Sequence, residues 1–492
     1  SHKKYAETVK KQINEFTGSE IAEKLADAER ELWIRSVWEQ HWLKQKRKEL
    51  TEQKQCILAE QEELKKIRQE IQEETQKTED GNMANVGIIG HGVVGSGVAD
   101  ILWNSREVLA RRAGETIELQ RVCDLRDFPA APYADRMTKD AEQIYAADDI
   151  DIVVECMGGK GAAYRFVKAA LERGKHVVTS NKELIADCGE ELERIARETG
   201  VCLRYEASCG GGIPVIKPIE EDLAANRITR VAGILNGTTN YILTRMREGG
   251  VSFDAALKEA QQKGYAEANP DADIQGIDTC RKICILSDLA YGDKFDPDQV
   301  SCEGITKITL EDVANADKLG CVIKLIAWMK LGKDGSVAAG VEPCLVPKAN
   351  QLASVDDVFN AVLVKGDMLG DVVFYGKGAG KLPTASAVVA DVVDALKNGA
   401  QVHDSLFWQP ADPVDGMLTD PAPAAYYVRV AGIAPAVVEA IYGYGKVVDE
   451  RYEGCAYFVK RADERALAEA ARKVEAVGGS VKLVLKKLPE DA

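Results

Sequence analysis

At 492 residues the chain has room for about three or four domains. A hydrophobic share of 46% and a charged share of 29% describe an ordinary globular protein, and a net charge of −16 argues against nucleic acid or an anionic membrane as a partner. No uncharged apolar run approaches the roughly 18 residues of a membrane span, and neither a span nor a secretory leader is expected. The twelve cysteines form no CxxC pairs, and none of the five histidines is spaced with them. Cys156, Cys202 and Cys284 lie in stretches read as apolar strands or helices. These features predict reduced thiols in a cytoplasmic protein, without a disulfide framework or zinc site.

Residues 1–82 lack proline and are dense in Lys and Glu of nearly balanced sign. Leu43, Leu50, Ile57, Leu64 and Ile71 recur every seven residues, a coiled-coil or long-hairpin pattern. Trp33, Trp38 and Trp42 suggest that one of these helices packs on something. A break at 78–82 precedes Met83, which reads like an internal start. Residues 1–82 are therefore expected to be a fused helical extension, with the functional protein beginning at Met83.

A dinucleotide-binding domain is expected over 83–212. The buried strand NVGII at 85–89 runs into GHGVVG at 90–95 and an amphipathic helix to Asn104. This is GxGxxG between a strand and a helix, the context that gives it meaning. Gly90 and Gly92 permit the tight turn and close backbone approach, and Gly95 permits close helix–strand packing. Val93 and Val94 open the helix, whose free N–H groups suit a pyrophosphate. A second strand at 117–123 ends at Asp124, placed to bind a ribose 2′-hydroxyl and select NAD. Arg126 can instead meet a 2′-phosphate, so NAD versus NADP stays open. Further strands at 151–156 and 176–179 lead into Gly158 and into Ser180 and Lys182. Strands and helices alternating at this spacing predict a Rossmann-type parallel sheet with ligands at the strands' carboxyl ends.

An α+β substrate and dimerisation domain is expected over 213–402. Its strand at 228–235 turns at Asn236 and Gly237, and Thr238 or Thr239 can cap the following helix. Four acids follow as individuals: Glu267, Asp271, Asp273 and Asp278. From Ile274 the pattern turns helical up to Gly292, putting Asp278 and Lys282 one turn apart on the face of Ile274, Ile285 and Leu289. An exposed pair of this kind is worth only about 0.2–0.5 kcal/mol. Apolar neighbours predict burial here. Burial disfavours charged lysine and the carboxylate favours it, making Lys282 a candidate proton donor near neutral pH. Residues 382–396 are expected to return and pack on the first domain.

KHVVTSNKEL at 175–184, EASCGGGIP at 206–214, GILNGTTNYIL at 233–243 and GKGAGKLPTASA at 376–387 together resemble homoserine dehydrogenases. The order A-x3-G-Y-A-x2-N-P-x2-D-I-x-G-x-D-x3-K at 260–282 is similar to that family's defining pattern. The resemblance implies reversible, NADP- or NAD-dependent reduction of L-aspartate 4-semialdehyde to L-homoserine, on the threonine and methionine route. It implies Lys282 as proton donor, Asp278 as the carboxylate beside it, and Lys182 as a second lysine at the substrate–cofactor junction. Glu267 and Asp273 would bind the substrate's amino end. Gly158, Ser180 and Gly378 join the cofactor set, and Glu206 with the carbonyls of Cys209, Gly211 and Ile213 would hold a monovalent cation, usually sodium in that family. Ser180 stands where alanine is common, and Cys209 where a smaller or branched apolar residue is usual; neither change removes a charge. Aldehyde reduction needs positive charge near the oxygen that becomes an alkoxide, which two lysines supply.

From 424 to 492 the predicted order β-α-β-β-α-β resembles an ACT domain, with threonine as the effector this implies. The segment 431–436 lacks the usual Asp-x-x-Gly turn. A homodimer or homotetramer is expected. The rival readings are another semialdehyde dehydrogenase of the same fold, and an inactive enzyme body serving as a regulatory or scaffold protein through its helical arm and ACT-like end.

Overall fold

The computed structural model describes residues 83–292, 295–332, 335–399, 422–451 and 454–489, with scattered positions between 27 and 66. The chain divides into a unit of residues 1–80 and a second of 81–492. In the first, the described positions between 27 and 66 are helical and exposed. Trp33 and Trp42 are 67% and 56% exposed, so the packing expected of them is not found among the described residues. Trp38, Ile57, Leu64 and Ile71 lie outside those residues, and the heptad reading with them. No helix among the described residues is long and apolar enough to cross a membrane.

The second unit opens with a six-stranded parallel sheet in the order β3-β2-β1-β4-β5-β6. Its strands are β1 (Met83–Ile89), β2 (Thr116–Cys123), β3 (Met137–Thr138), β4 (Ile152–Glu155), β5 (His176–Thr179) and β6 (Leu203–Arg204). All four residues of β4 are buried, as a central strand covered by helices on both faces requires. The strand order reverses between β1 and β4, where a doubly wound sheet leaves a crevice at its carboxyl edge. Helix α1 (Val93–Asn104) follows β1, and α2 (Lys182–Thr199) follows β5. Cys202 is buried, whereas Cys156 is half-buried just beyond the end of β4 rather than within a strand.

A mixed sheet follows, in the order β12-β11-β7-β9-β10-β16-β13-β15-β14, with β8 (Ser301–Cys302) pairing β10. Its first half comprises β7 (Ile228–Ile234), β9 (Cys321–Leu331), β10 (Val337–Pro347), β11 (Phe359–Gly366) and β12 (Gly370–Lys377). One face is covered by α3 (Gly237–Gly249) and α4 (Ile277–Tyr291), whose apolar residues share a core with Val231, Ala327, Val362 and Val364. Helix α5 (Leu310–Lys318) precedes β9. Helix α6 (Lys381–Asn398) crosses back to α1, packing Ala385, Val388 and Val392 on Val98, Ala99 and Leu102. Gly97 makes that crossing close: a Cβ there would lie 2.8 Å from the Lys381 carbonyl.

The last segment is β13 (Ala424–Ala431), α7 (Pro435–Tyr442), β14 (Gly445–Arg451), β15 (Gly454–Ala462), α8 (Glu464–Ala476) and β16 (Ser480–Lys487). Numbered within this module, the sheet order is 4-1-3-2, with antiparallel neighbours throughout. Only two residue pairs, Cys344 with Lys486 and Leu345 with Lys487, join β16 to β10.

Candidate active site

Helix α4 begins at Ile277, not at Ile274. Gly276 has φ +85°, a left-handed conformation that breaks the helix, and residues Asp271–Ile274 form a separate turn before it. Asp278 therefore sits in the first turn of α4, with Lys282 one turn on. Asp278 is 5% and Lys282 8% exposed. Lys282 Nζ lies 2.8 Å from Asp278 Oδ2 and donates to the Leu235 carbonyl, also at 2.8 Å.

Lys182, the first residue of α2 at the carboxyl end of β5, brings its Nζ 2.5 Å from Asp278 Oδ1. One carboxylate thus bridges two ammonium groups carried on different helices, α2 and α4. Asn236 completes the cluster: its Nδ2 donates to Asp278 Oδ2 at 2.9 Å and to Asp273 Oδ1 at 2.7 Å. The other end of its amide accepts from the Thr239 N–H and caps α3, so the cap is Asn236 rather than Thr238 or Thr239. Burial alone would raise the Asp278 carboxyl, but Lys282 and Lys182 outweigh it and hold it below the usual carboxylate range. Burial acts to lower Lys182, and Asp278 more than offsets that, leaving the ammonium raised. Asp273 moves up, through burial that its Asn236 bond only partly offsets. Glu267 and Asp271 stay exposed, and the Glu267 main-chain carbonyl accepts from the Gln261 side chain at 3.1 Å.

Across the crevice at β1 and β4 the glycines divide their work. Gly90 has φ +100°, and a Cβ there would press on the Cys156 main chain at 2.8 Å. A Cβ on Gly95 would overlap the Gly90 carbonyl, whereas one on Gly92 would meet nothing within 4 Å. The Gly92 main chain therefore faces open space ahead of Val93 and Val94, which start α1, and an anion can approach that helix terminus. Gly90, Gly92, Asp124, Arg126 and Gly158 line one cleft of about 750 Å³. Asp124 accepts from the main-chain N–H of His91 and of Arg126, both at 2.9 Å, and pairs with the Arg126 guanidinium through Nε and Nη2 at 3.0 Å. Hydrogen bonding to that guanidinium first of all keeps Asp124 well below the carboxylate range. Ser180 is half-buried, its N–H on the Glu155 carbonyl at 3.3 Å.

Glu206 is buried beyond this cleft, its carboxylate accepting from the N–H groups of Val215, Ile216 and Lys217 at 2.6–2.8 Å. Burial raises its pKa, and these three bonds partly offset the rise. Oε2 carries only one of the three bonds, which leaves lone-pair capacity. The loop from Cys209 to Ile213 reverses through Gly210 and Gly211, at φ +71° and +60°. A Cβ on Gly211 would overlap the Gly378 carbonyl, so this loop abuts the glycine turn carrying Gly378.

The sequence places Asn236 only in a turn and gives no sign of the Leu235 carbonyl, although an Asn directly before a helix is itself a cap signal. With this geometry in view, two family models match the chain: homoserine dehydrogenase over residues 214–393, and homoserine dehydrogenase, NAD binding domain, over 90–206. A homoserine dehydrogenase of Neisseria gonorrhoeae is 44% identical over 356 residues, covering 70% of this chain and 81% of that protein. One of Pseudomonas aeruginosa is 43% identical over 357 residues, with the same two coverages. Among solved structures, a homoserine dehydrogenase from Thiobacillus denitrificans aligns with a TM-score of 0.76 at 36% identity, covering 83% of this chain and 99% of that one.

Proposed function

The chain belongs to the homoserine dehydrogenase family, and on that premise we infer that its two lysines, bridged by Asp278, carry the proton transfer of the reaction. The activity is the NAD(P)-dependent interconversion of L-aspartate 4-semialdehyde and L-homoserine. A nicotinamide bound in the β1–β4 crevice supplies or takes the hydride. Lys282 gives its proton to the aldehyde oxygen, and Lys182 adds positive charge where the alkoxide develops. Asp278 aims both ammonium groups, while Asp273 and Glu267 take the substrate's ammonium. The single observation carrying this reading is one buried carboxylate shared by lysines from two different helices, α2 and α4.

For the cofactor we propose NADP. All the acceptor capacity of Asp124 is taken by four donors, while the Arg126 side chain, though paired with Asp124, stays 65% exposed at the cleft, where a 2′-phosphate would meet it. Arg126→Ala should raise the KM for NADP about tenfold or more and leave that for NAD nearly unchanged. Following reduced-nicotinamide absorbance with homoserine and each cofactor tests both proposals. Absence of turnover with either cofactor would favour the scaffold reading, and equal effects of Arg126→Ala on the two would remove the NADP assignment.

The same reading gives Glu206, with the carbonyls of Cys209, Gly211 and Ile213, a monovalent cation, sodium by preference. It divides the second unit into a dinucleotide domain (83–212), a substrate and dimerisation domain (213–402) and an ACT-like module (424–492), with threonine its candidate effector. The 4-1-3-2 order of the module supports the last assignment. The eleven described cysteines are all free thiols, which supports a cytoplasmic location.

A further inference from the structure

We propose that Glu155 is a positioning residue that locks the cofactor loop 156–159 and the Lys182 end of α2 into one geometry. It ends β4 with no exposed surface, and it contacts neither lysine. Its Oε1 accepts from the Met157 N–H at 2.6 Å and its Oε2 from the Thr179 hydroxyl at 2.6 Å. The Thr179 oxygen in turn accepts from the Asn181 N–H at 3.0 Å. Asn181 caps α2 by accepting from Leu184 N–H at 3.1 Å, and its Nδ2 donates to the Gly159 carbonyl at 2.8 Å. One buried carboxylate is thus the root of a closed chain running from the loop at the cofactor crevice to the residue just before Lys182.

A carboxylate is an unusual thing to bury without a cation beside it, and burial pushes this one up to about 7. The groups facing it are neutral donors, Thr179, the Met157 amide and the Asn181 side chain. The titratable neighbour is the Cys156 thiol, itself pushed up to about 12, first by burial and then by Glu155. An apolar residue would fill the space without such a penalty, so the chain keeps an acid where it orders two loops at once. Misplacing a reacting group by about 1 Å costs on the order of a hundredfold in rate. A residue setting both the nicotinamide loop and Lys182 therefore acts on turnover without touching substrate.

The proposal rests on the role given to Lys182, and the test separates the two. Glu155→Gln and Thr179→Val, as full-length chains, are compared with wild type and with Lys182→Ala for kcat, for KM of cofactor and of homoserine, and for kcat/KM against pH. Glu155→Gln should lower kcat about tenfold to a hundredfold, raise the cofactor KM more than the homoserine KM, and flatten the ionisation near pH 7. Thr179→Val should move kcat and the cofactor KM in the same direction. Should Glu155→Gln fail to fold, Thr179→Val alone decides. If the folded variants match wild type in kcat and pH profile while Lys182→Ala is crippled, Glu155 merely fills the core. If Lys182→Ala turns over normally, the role of Lys182 falls and this proposal with it.

Discussion

Asp278 is the residue on which the chemistry turns, because it is shared. Lys282 and Lys182 each pair with a different oxygen of it, and Asn236 adds a third donor. Groups acting as a unit give non-additive losses when removed. Lys282→Ala should lower kcat about 10²- to 10⁴-fold, Asp278→Asn should approach the same loss, and the double variant should fall little further. Steady-state kinetics on the three variants checks this, and full additivity would mean that the residues work independently. Glu155 supplies a second measurement, on stability. Its folded pKa of about 7 lies above the ordinary value of 4.5, so the native state holds a proton that the unfolded chain has already released. Stability from this group is fully present below about 4.5 and declines as pH rises towards 7. The thermal midpoint of Glu155→Gln should therefore gain on wild type across that window, and parallel curves would contradict a proton held there.

At the scale of elements, α5 shows how the last module is held. Asp312 is fully buried in its first turn, where it completes a capping box with Thr309. The same carboxylate accepts from the Tyr427 hydroxyl at 2.8 Å and pairs with Arg429 Nε at 3.0 Å, both on β13. Two residue pairs join β16 to β10, and Asp312 adds to that contact beside Asn315 on Tyr427 and Lys318 on Asp449. Breaking a buried pair by removing one partner costs about 3–5 kcal/mol. Asp312→Ala should lower the denaturation midpoint accordingly and expose residues 424–489 to proteolysis before the rest; one unchanged cooperative transition would show that the module docks by other means. The Thr309–Asp312 cap is local, but nothing local in the sequence points to the link with Tyr427 and Arg429, which lie more than a hundred residues away. The glycine loop at 90–95 was legible for the opposite reason: strand, turn and helix terminus are contiguous, and each glycine answers a local demand. The Asp278–Lys282 pair was equally local. Its link to Lys182 joins α4 to α2, helices far apart in the chain, and no helical or strand periodicity carries that information. The start of α4 was misplaced because Ile274 fits the apolar face, while the break depends on the left-handed conformation of Gly276.

Across the second unit, the mixed sheet ends at β12, bonded among the described residues to β11 on one side only. Its Val372, Val373 and Phe374 are only partly buried, and Tyr375 is 57% exposed. Met368 and Leu369 at the preceding turn are 81% and 55% exposed. A strand with free backbone groups and apolar side chains invites pairing with another chain, and proteins ordinarily blunt or cover such edges. Within β12 the exposed charges are Asp371 and Lys377, at its two ends, and neither interrupts the apolar middle. A second copy of the chain would cover that edge, since a closed two-fold arrangement uses the same patch on both partners and leaves no edge to propagate. Sedimentation at micromolar concentration should give twice the chain mass. Val373→Lys should shift it towards the monomer without altering far-ultraviolet circular dichroism. A monomeric wild type, or a dimer indifferent to that substitution, would mean that the subunits meet elsewhere.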